Sequence, residues 1–417
     1  MLDSIGKQYS FRFLWFGQMF ANLGDILYVV CLMKIISDTT GSVTYMSLVP
    51  FLNTFSGLIS GLLAPLVIRK YRLKSILFYS QTGKTFLMFL LSIFSGMIQA
   101  QSLSWIFLLV CWISFLDGWA APARNALVPS LVEESRLVKT NSLLSISDQI
   151  VQLMAWPAGS ILLVMAGASN MLWITLCLYA ISSAFMGLIL QNGKHSESEQ
   201  DGLSRMGALK QGWSIIWSSK QLRTISIMNI LETLANAVWI AAILFVYVSE
   251  ALNKGENWWG FINGAFFAGM LIAGLWIYRF SSIVERNLGK TILFSTLSLS
   301  FITILFGNTS IPWFALFLSF LFGIPQMARD VAETTIIQRN ARAQVLAKVY
   351  SARGTMIYAC FGISSLVMGW ITEKFGVRTT FRLAAILFVC SFMVAARNRN
   401  HLYNSSHEQS LGNQALK

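Results

Sequence analysis

Charge is scarce in this sequence. Only 12% of its 417 residues are Asp, Glu, Lys or Arg, against about 25% in a typical soluble domain. Hydrophobic residues make up 55%, and the mean hydropathy is +0.61. A water-soluble globule of this length cannot bury that much apolar surface, so the surplus calls for a bilayer as solvent. Histidine is nearly missing. His195, His401 and His407 all lie in polar stretches, which argues against a histidine-built metal site. No CxxC occurs: Cys31, Cys111, Cys177, Cys360 and Cys390 sit singly in apolar runs and read as packing residues. A phosphate loop is lacking too. Gly83-Lys84-Thr85 and Gly289-Lys290-Thr291 imitate its end, but the glycine required five residues earlier is Phe78 in one and Val284 in the other. ATP is therefore not expected to act on this chain directly. No His/Asp/Glu cluster or nucleophile-and-base pair falls at membrane depth, so neither an enzyme, a metal nor a cofactor is expected. The first apolar run is long and interrupted by Asp25, and is expected to be a retained helix rather than a cleaved leader.

What the chain has in abundance is apolar runs of spanning length. A spanning helix needs roughly 20 mainly apolar residues. Such runs cover 12–36, 43–68, 75–99, 103–124, 142–166, 170–191, 222–249, 257–280, 289–308, 311–333, 348–372 and 377–397. The longest polar stretch between them divides them six and six. The expected organisation is a bundle over 1–191, a cytoplasmic linker over 192–221, a second bundle over 222–397 and a cytoplasmic tail over 398–417. The net charge of +13 does not point to nucleic acid, because the basic residues lie in short loops between apolar runs. With the N-terminus inside, most of the 31 Lys and Arg fall on the cytoplasmic side. The outer side receives only Lys34, Lys254, Lys374, Arg378 and Arg382. Trp105, Trp173, Trp258, Trp259 and Trp313 mark the outer interface. Both termini are expected in the cytoplasm.

The two halves repeat. Phe115-Leu116-Asp117-Gly118 and Ala123-Arg124-Asn125 line up with Phe320-Leu321-Phe322-Gly323 and Ala328-Arg329-Asp330. Lys74-Ser75-Ile76-Leu77-Phe78 lines up with Lys290-Thr291-Ile292-Leu293-Phe294. Asn22 and Asp25 in the first run line up with Asn229 and Glu232 in the seventh. Parallel repeats of this kind place a solute site between repeats near the bilayer midplane. Two small-xxx-small pairs, Gly57 with Gly61 and Gly260 with Gly264, suggest close helix contacts.

Phe13-Leu14-Trp15-x-Gly17-Gln18 followed by Leu23-Gly24-Asp25 resembles the first helix of proton-driven drug exporters of the major facilitator superfamily, a branch that includes macrolide and enterobactin exporters. Pro122-Ala123-Arg124-Asn125-Ala126-Leu127-Val128-Pro129, then Leu137 and Asn141-Ser142, is similar to that branch's connection between helices four and five. Gly369-Trp370-Ile371-Thr372-Glu373-Lys374-Phe375-Gly376 resembles its final loop. Two stretches depart from the pattern. Ala64 to Arg72 carries Ile68 where the superfamily has an acid and Tyr71 where it has a glycine, and the helix-five signature is reduced to Trp156-Pro157-Ala158-Gly159-Ser160. The resemblance implies an all-α membrane fold of twelve transmembrane helices in two pseudo-symmetric six-helix bundles.

An ionisable residue at mid-bilayer costs about 2.5–3.5 kcal/mol on insertion scales, so each needs a reason. Asp25, Asp117 and Glu232, with the amides Asn22, Asn229 and Asn236, are the candidate proton-coupling or substrate-binding residues. Desolvation favours the neutral form of such a carboxyl, which suits it to carry a proton. The competing reading is an acid hydrogen-bonded to an amide to fix helix packing. Lys84, two turns inside the third run, is expected to snorkel to the interface, with pairing to Asp117 as the alternative. Asp148, Arg279, Arg124, Arg329, Asp330 and Arg353, near cytoplasmic ends, are candidate gate residues, with Asp148 and Arg279 the preferred pair and topology signals the competing reading. An apolar lining is offered by Phe20, Tyr28, Trp112, Trp239, Phe245, Phe266, Phe267, Met327, Tyr358 and Phe361.

The leading expectation is a secondary transporter in the cell membrane. It would export a small amphipathic molecule (drug, antibiotic or siderophore-like) in exchange for protons by alternating access. It is expected to act as a monomer with lipid as its surroundings and no nucleic-acid partner. A metabolite importer or uniporter, and a non-transporting sensor or scaffold, are the competing expectations.

Overall fold

Within hydrocarbon every backbone N–H and C=O must be satisfied internally, which leaves long apolar runs the helix as their local solution. A computed structural model of the protein describes residues 2–40, 43–94, 103–190, 205–239, 241–255 and 257–403. Among the described residues the regular structure is entirely helical. The helices are α1 (Leu2–Thr40), α2 (Val43–Lys70), α3 (Leu73–Phe94), α4 (Leu103–Leu131), α5 (Leu137–Gly187), α6 (Arg205–Ser218), α7 (Lys220–Asn236) and α8 (Ala241–Val246). They continue with α9 (Asn257–Arg279), α10 (Ser281–Arg286), α11 (Leu288–Asn308), α12 (Pro312–Asn340), α13 (Ala343–Phe375), α14 (Val377–Arg397) and α15 (Arg399–Tyr403).

Ten of the described helices are long and apolar enough to cross a membrane, and a bent pair adds an eleventh. The 51 residues of α5 would extend about 75 Å as one rod, far beyond the ~30 Å hydrocarbon core. Gly167, at φ +78°, breaks the rod at the position expected to separate the fifth and sixth spans. The part of α5 before that break occupies the place of the expected fifth span.

The seventh span is not the continuous helix expected over 222–249. It runs as α7, a 3-10 turn at Ala237–Trp239, α8 and a π turn at Tyr247–Ala251, with a bend of 48°. Part of the expected linker is also helical, as α6, while 191–204 lie outside the described residues. The tail begins with α15, where Leu402 is buried, and 404–417 lie outside the described residues.

The chain divides into two compact units. Unit 1 comprises 1–133, 150–213 and 343–355; unit 2 comprises 134–149, 214–342 and 356–417. They follow the two expected halves except that the start of α5 belongs to unit 2 and the start of α13 to unit 1.

In unit 1, α2 and α3 pack on α4 around a core that includes Leu27, Cys31, Leu32, Met88, Val110 and Met171. Gly118 makes room for Ser60, whose side chain would lie within 2.6 Å of an added Cβ. In unit 2, α9 packs on α12 and α11 on α14, around an aromatic core of Tyr247, Phe306, Phe322, Phe381 and Phe388. The closest backbone approach in unit 2 falls at Gly269 and Gly323. A Cβ at either would strike the opposing backbone at Phe320 or Phe266. Gly260 and Gly264, expected to mark a helix contact, have nothing within 4 Å. A spacing of four identifies one face of a helix but does not say which face meets a neighbour.

Candidate functional site

The acid singled out on α1 sits in a polar cluster that reaches five helices of unit 1. Asp25 lies on α1, Lys84 at the middle of α3 and Asp117 on α4. The Lys84 ammonium is 2.7 Å from Oδ1 of Asp25 and 2.8 Å from Oδ1 of Asp117. Tyr179, on α5 beyond the Gly167 break, donates its hydroxyl to the same oxygen of Asp25 at 2.5 Å, and its ring lies 5.1 Å from the ammonium. Gly24 makes this approach possible, because a Cβ there would fall 2.5 Å from the Tyr179 ring. One turn from the acids, Tyr28 and Ser114 both donate to Oδ1 of Asn53 on α2, at 2.8 and 2.5 Å. These bonds fix α1, α2 and α4 relative to one another.

Burial within the cluster is uneven. The Lys84 side chain is 1% exposed, whereas Asp25 is 28% and Asp117 50% exposed. Lys84 therefore does not snorkel. It is the buried counter-ion of two acids, and the ion pairs replace the water that a buried ammonium would lack. A half-exposed carboxylate within a spanning helix faces water rather than acyl chains.

Glu232, the repeat partner of Asp25, sits in a second and closed cluster in unit 2. Arg329 on α12 pairs through Nε with Glu232 on α7, and through NH1 with Glu333 at 2.9 Å. Its NH2 donates to Oδ1 of Asn229 at 3.0 Å, and Asn229 donates in turn to Glu333 at 2.8 Å. Ser391 on α14 closes the ring by donating to Glu232 at 2.5 Å. Glu232, Arg329 and Glu333 are each no more than 5% exposed in their side chains. One planar cation thus holds two buried carboxylates and an amide in a fork geometry that a lysine would not reproduce, with a third carboxylate, Asp330, 3.4 Å from its NH1. Asp330, at the edge, accepts from Gln326 at 3.0 Å.

Several expectations change on these contacts. The amides do not all serve the acids. Asn229 joins Arg329 and Glu333, Asn22 accepts from Gln18 at 2.6 Å, and Glu232 is held by Ser391 and Arg329 rather than by Asn229 or Asn236. Asn236 is partly buried one turn beyond Glu232. Arg329, expected near a cytoplasmic end, is buried among the helices of unit 2, at 4% exposure. Its helix runs on to Asn340, seven residues past the expected end of the run at 333.

The remaining gate candidates do not form one group. Arg124 and Arg353 are partly buried in unit 1; Asp148 is partly buried and Arg279 exposed in unit 2, the Arg279 guanidinium lying 5.5 Å from the Phe280 ring. Near them, Ser142 at the start of α5 donates to the Gly274 carbonyl of α9 at 2.6 Å, and Asn141 donates to Gln338 of α12 at 2.7 Å.

Several of the apolar residues expected to line a cavity are packed inside the units instead. Tyr28 and Met327 are buried, and Trp239 packs at tilted and edge-on angles against Phe306, Phe322 and Phe381. Tyr179 and Ser391 complete the clusters without a signal in the sequence, since each meets its acid only through tertiary packing.

Spanning helices with ionisable clusters in each of two units have a counterpart among known proteins: the sequence profile of the Major Facilitator Superfamily matches residues 14–359. The chain belongs to this superfamily. It is a multi-pass membrane transporter with the superfamily's twelve-helix, two-domain fold. The Uncharacterized MFS-type transporter YfmI of Bacillus subtilis is 30% identical over 90% of this chain and 93% of its own length. The Multidrug efflux pump Tap of Mycobacterium tuberculosis is 21% identical over 57% of this chain and 56% of its own. The fold is also that of a bacterial homologue of the iron transporter ferroportin in an outward-facing state, at a TM-score of 0.78 and 13% identity. That match covers 94% of this chain and 99% of the other. Within this superfamily fold, Asp25 and Asp117 of the unit 1 cluster are partly exposed, as is Asp330 at the edge of the unit 2 cluster.

Proposed function

We propose that the protein is a proton-coupled secondary transporter of the cell membrane, exporting a small amphipathic organic molecule by alternating access. The observation that carries this reading is the Lys84 ammonium shared by Asp25 and Asp117, whose carboxylates are partly exposed within spanning helices. One cation cannot neutralise two carboxylates, so the cluster has capacity for one more positive charge. A proton and a substrate would compete for it, and mutually exclusive occupancy is the requirement for exchange. The likeness to Tap over part of the chain supports efflux as the direction. The protein would work as a monomer with both termini in the cytoplasm. Glu232, in the unit 2 ring, fixes α7 to α12 and α14. At the inner side, Asp148 and Arg279 would act as a gate, with Arg124, Asp330 and Arg353 assisting.

Inverted membrane vesicles acidified by respiration test the reading. Vesicles carrying the protein accumulate a substrate from a panel of amphipathic compounds. Accumulation stops when a protonophore collapses the gradient or when Asp25→Asn is introduced into a variant present at the wild-type level. Uptake that survives the protonophore marks a uniporter instead. For the gate, charge reversal at Asp148 is expected to be rescued by reversal at Arg279; without rescue, that pair is not a gate.

A further inference from the structure

In unit 2, α11 and α14 pack antiparallel, in a register set by Ser300 donating to the Ala385 carbonyl and Arg382 donating to Asn308. One face of each helix is exposed over several turns: Leu297, Phe301 and Ile304 on α11, Ile386 and Val389 on α14. Steps of three and four keep each set on one side of its helix. In a spanning segment such a face meets acyl chains. Where α11 stops and α14 starts, the same faces turn polar, at Asn308 on one and at Arg382 and Arg378 on the other. Nε and NH2 of Arg382 both donate to Oδ1 of Asn308, at 3.1 and 2.8 Å. NH2 of Arg378 donates to Oγ of Ser310 at 2.5 Å. Both acceptors are neutral, and among the described residues neither guanidinium has a carboxylate partner. A guanidinium carries five N–H donors, so most of those on each arginine are left over. Two like charges four residues apart repel, and here they are oriented without being neutralised. Lys34, expected on the same side of the membrane, is by contrast paired with Asp38 at 2.5 Å. On the orientation proposed above that side is the outer one, which Lys and Arg avoid.

We propose that this face of unit 2 binds one anionic phospholipid, its headgroup phosphate held by Arg378 and Arg382 and an acyl chain laid along Ile304, Phe301 and Ile386. The unused guanidinium donors suit the oxygens of a phosphate diester. From Asn308 to Phe301 the helix rises about 10 Å, within the ~15 Å of hydrocarbon in one leaflet. Phosphate and chain therefore fall at the depths where a lipid places them. A lipid of net negative charge fits better than a zwitterionic one, which would bring its own cation against two arginines. Free phosphate would satisfy the arginines but leave the apolar face bare. The inference rests on the membrane fold and does not depend on what the protein transports.

The test is native mass spectrometry of the purified full-length protein in detergent. It is titrated with phosphatidylglycerol, with phosphatidylcholine of the same chains, and with inorganic phosphate as competitor. The wild type is expected to hold its first phosphatidylglycerol about tenfold more tightly than phosphatidylcholine, and excess inorganic phosphate should not displace it. Arg378→Gln with Arg382→Gln in one chain should bring the two lipids level. Asn308→Asp gives Arg382 the carboxylate it lacks, which adds an ion pair to the fold, and should weaken the preference severalfold. That variant decides the matter if the double variant does not fold. Arg286→Gln with Lys290→Gln removes the same charge near the opposite end of α11 and should leave the preference unchanged. Equal binding of the two lipids by the wild type, an unchanged preference in the arginine double variant or in Asn308→Asp, or an equal loss in the control overturns the proposal. Displacement by inorganic phosphate overturns it as well, and marks a site for the free ion.

Discussion

Replacing Lys84 by Met keeps most of the side-chain volume and removes the charge. Asp25 and Asp117 each reach the same nitrogen within 2.8 Å, so their Oδ1 atoms are at most about 5.5 Å apart, and at an effective dielectric near 20 they repel by about 3 kcal/mol. Breaking a buried pair by deleting one partner costs about 3–5 kcal/mol in general. The partial exposure of both acids lets water take up some of the lost interaction, which puts the expected loss near the lower figure, about 3 kcal/mol. Thermal unfolding of the purified protein in detergent measures it. Adding Asp25→Asn and Asp117→Asn to the same chain removes the repulsion and should recover most of the loss. If Lys84→Met is as stable as the wild type, the ammonium is not the counter-ion of the acids. If the triple variant is as unstable as the single one, the damage lies in packing and the electrostatic reasoning fails.

Arg329→Met should be more damaging than Lys84→Met, because Glu232 and Glu333 are almost wholly buried and no water reaches the orphaned charges. The same unfolding assay should show a loss at or above about 4 kcal/mol, with Arg329→Lys recovering only part. Gly24→Ala drives a methyl into the Tyr179 ring. It should cut proton-driven uptake at least tenfold by displacing the Tyr179 hydroxyl from Asp25, while the yield of folded protein in size-exclusion chromatography changes little. Gly269→Ala should abolish that yield, since its Cβ would strike the Phe320 carbonyl, whereas Gly260→Ala should leave it unchanged.

The helices were legible in the sequence because the bilayer imposes one local solution on long apolar runs, and the acids because a charge at that depth is expensive. Asp25, Asp117 and Glu232 all proved to be members of ionic clusters. Their partners were not legible. Lys84 is 59 residues from Asp25, Tyr179 154 and Ser391 159 from Glu232, and no periodicity within a helix encodes contacts at such separations.

Lys84, expected to snorkel, and Arg329, expected near a cytoplasmic end, are both buried. Reading a charge within a spanning run as reaching for the interface assumes that it seeks water. In α3 and α12 these charges are satisfied by neighbouring helices, so the helix continues with the charge inside. The break in the seventh span, where α7 turns through Ala237–Trp239 into α8, carries no Pro or Gly. It falls where Trp239 packs among Phe306, Phe322 and Phe381, a tertiary contact that local sequence does not report.

The central claim, that protons and substrate compete at the Asp25–Lys84–Asp117 cluster, is tested most directly by proton release. Ethidium, a monocation, is added to weakly buffered purified protein in detergent, and the pH change is recorded for the wild type and for the Asp25→Asn, Asp117→Asn double variant. The account predicts release of protons, up to one per bound ethidium, from the wild type and none from the variant. Ethidium binding with no proton release from the wild type at any pH between 5 and 8, or with equal release from the variant, would contradict it.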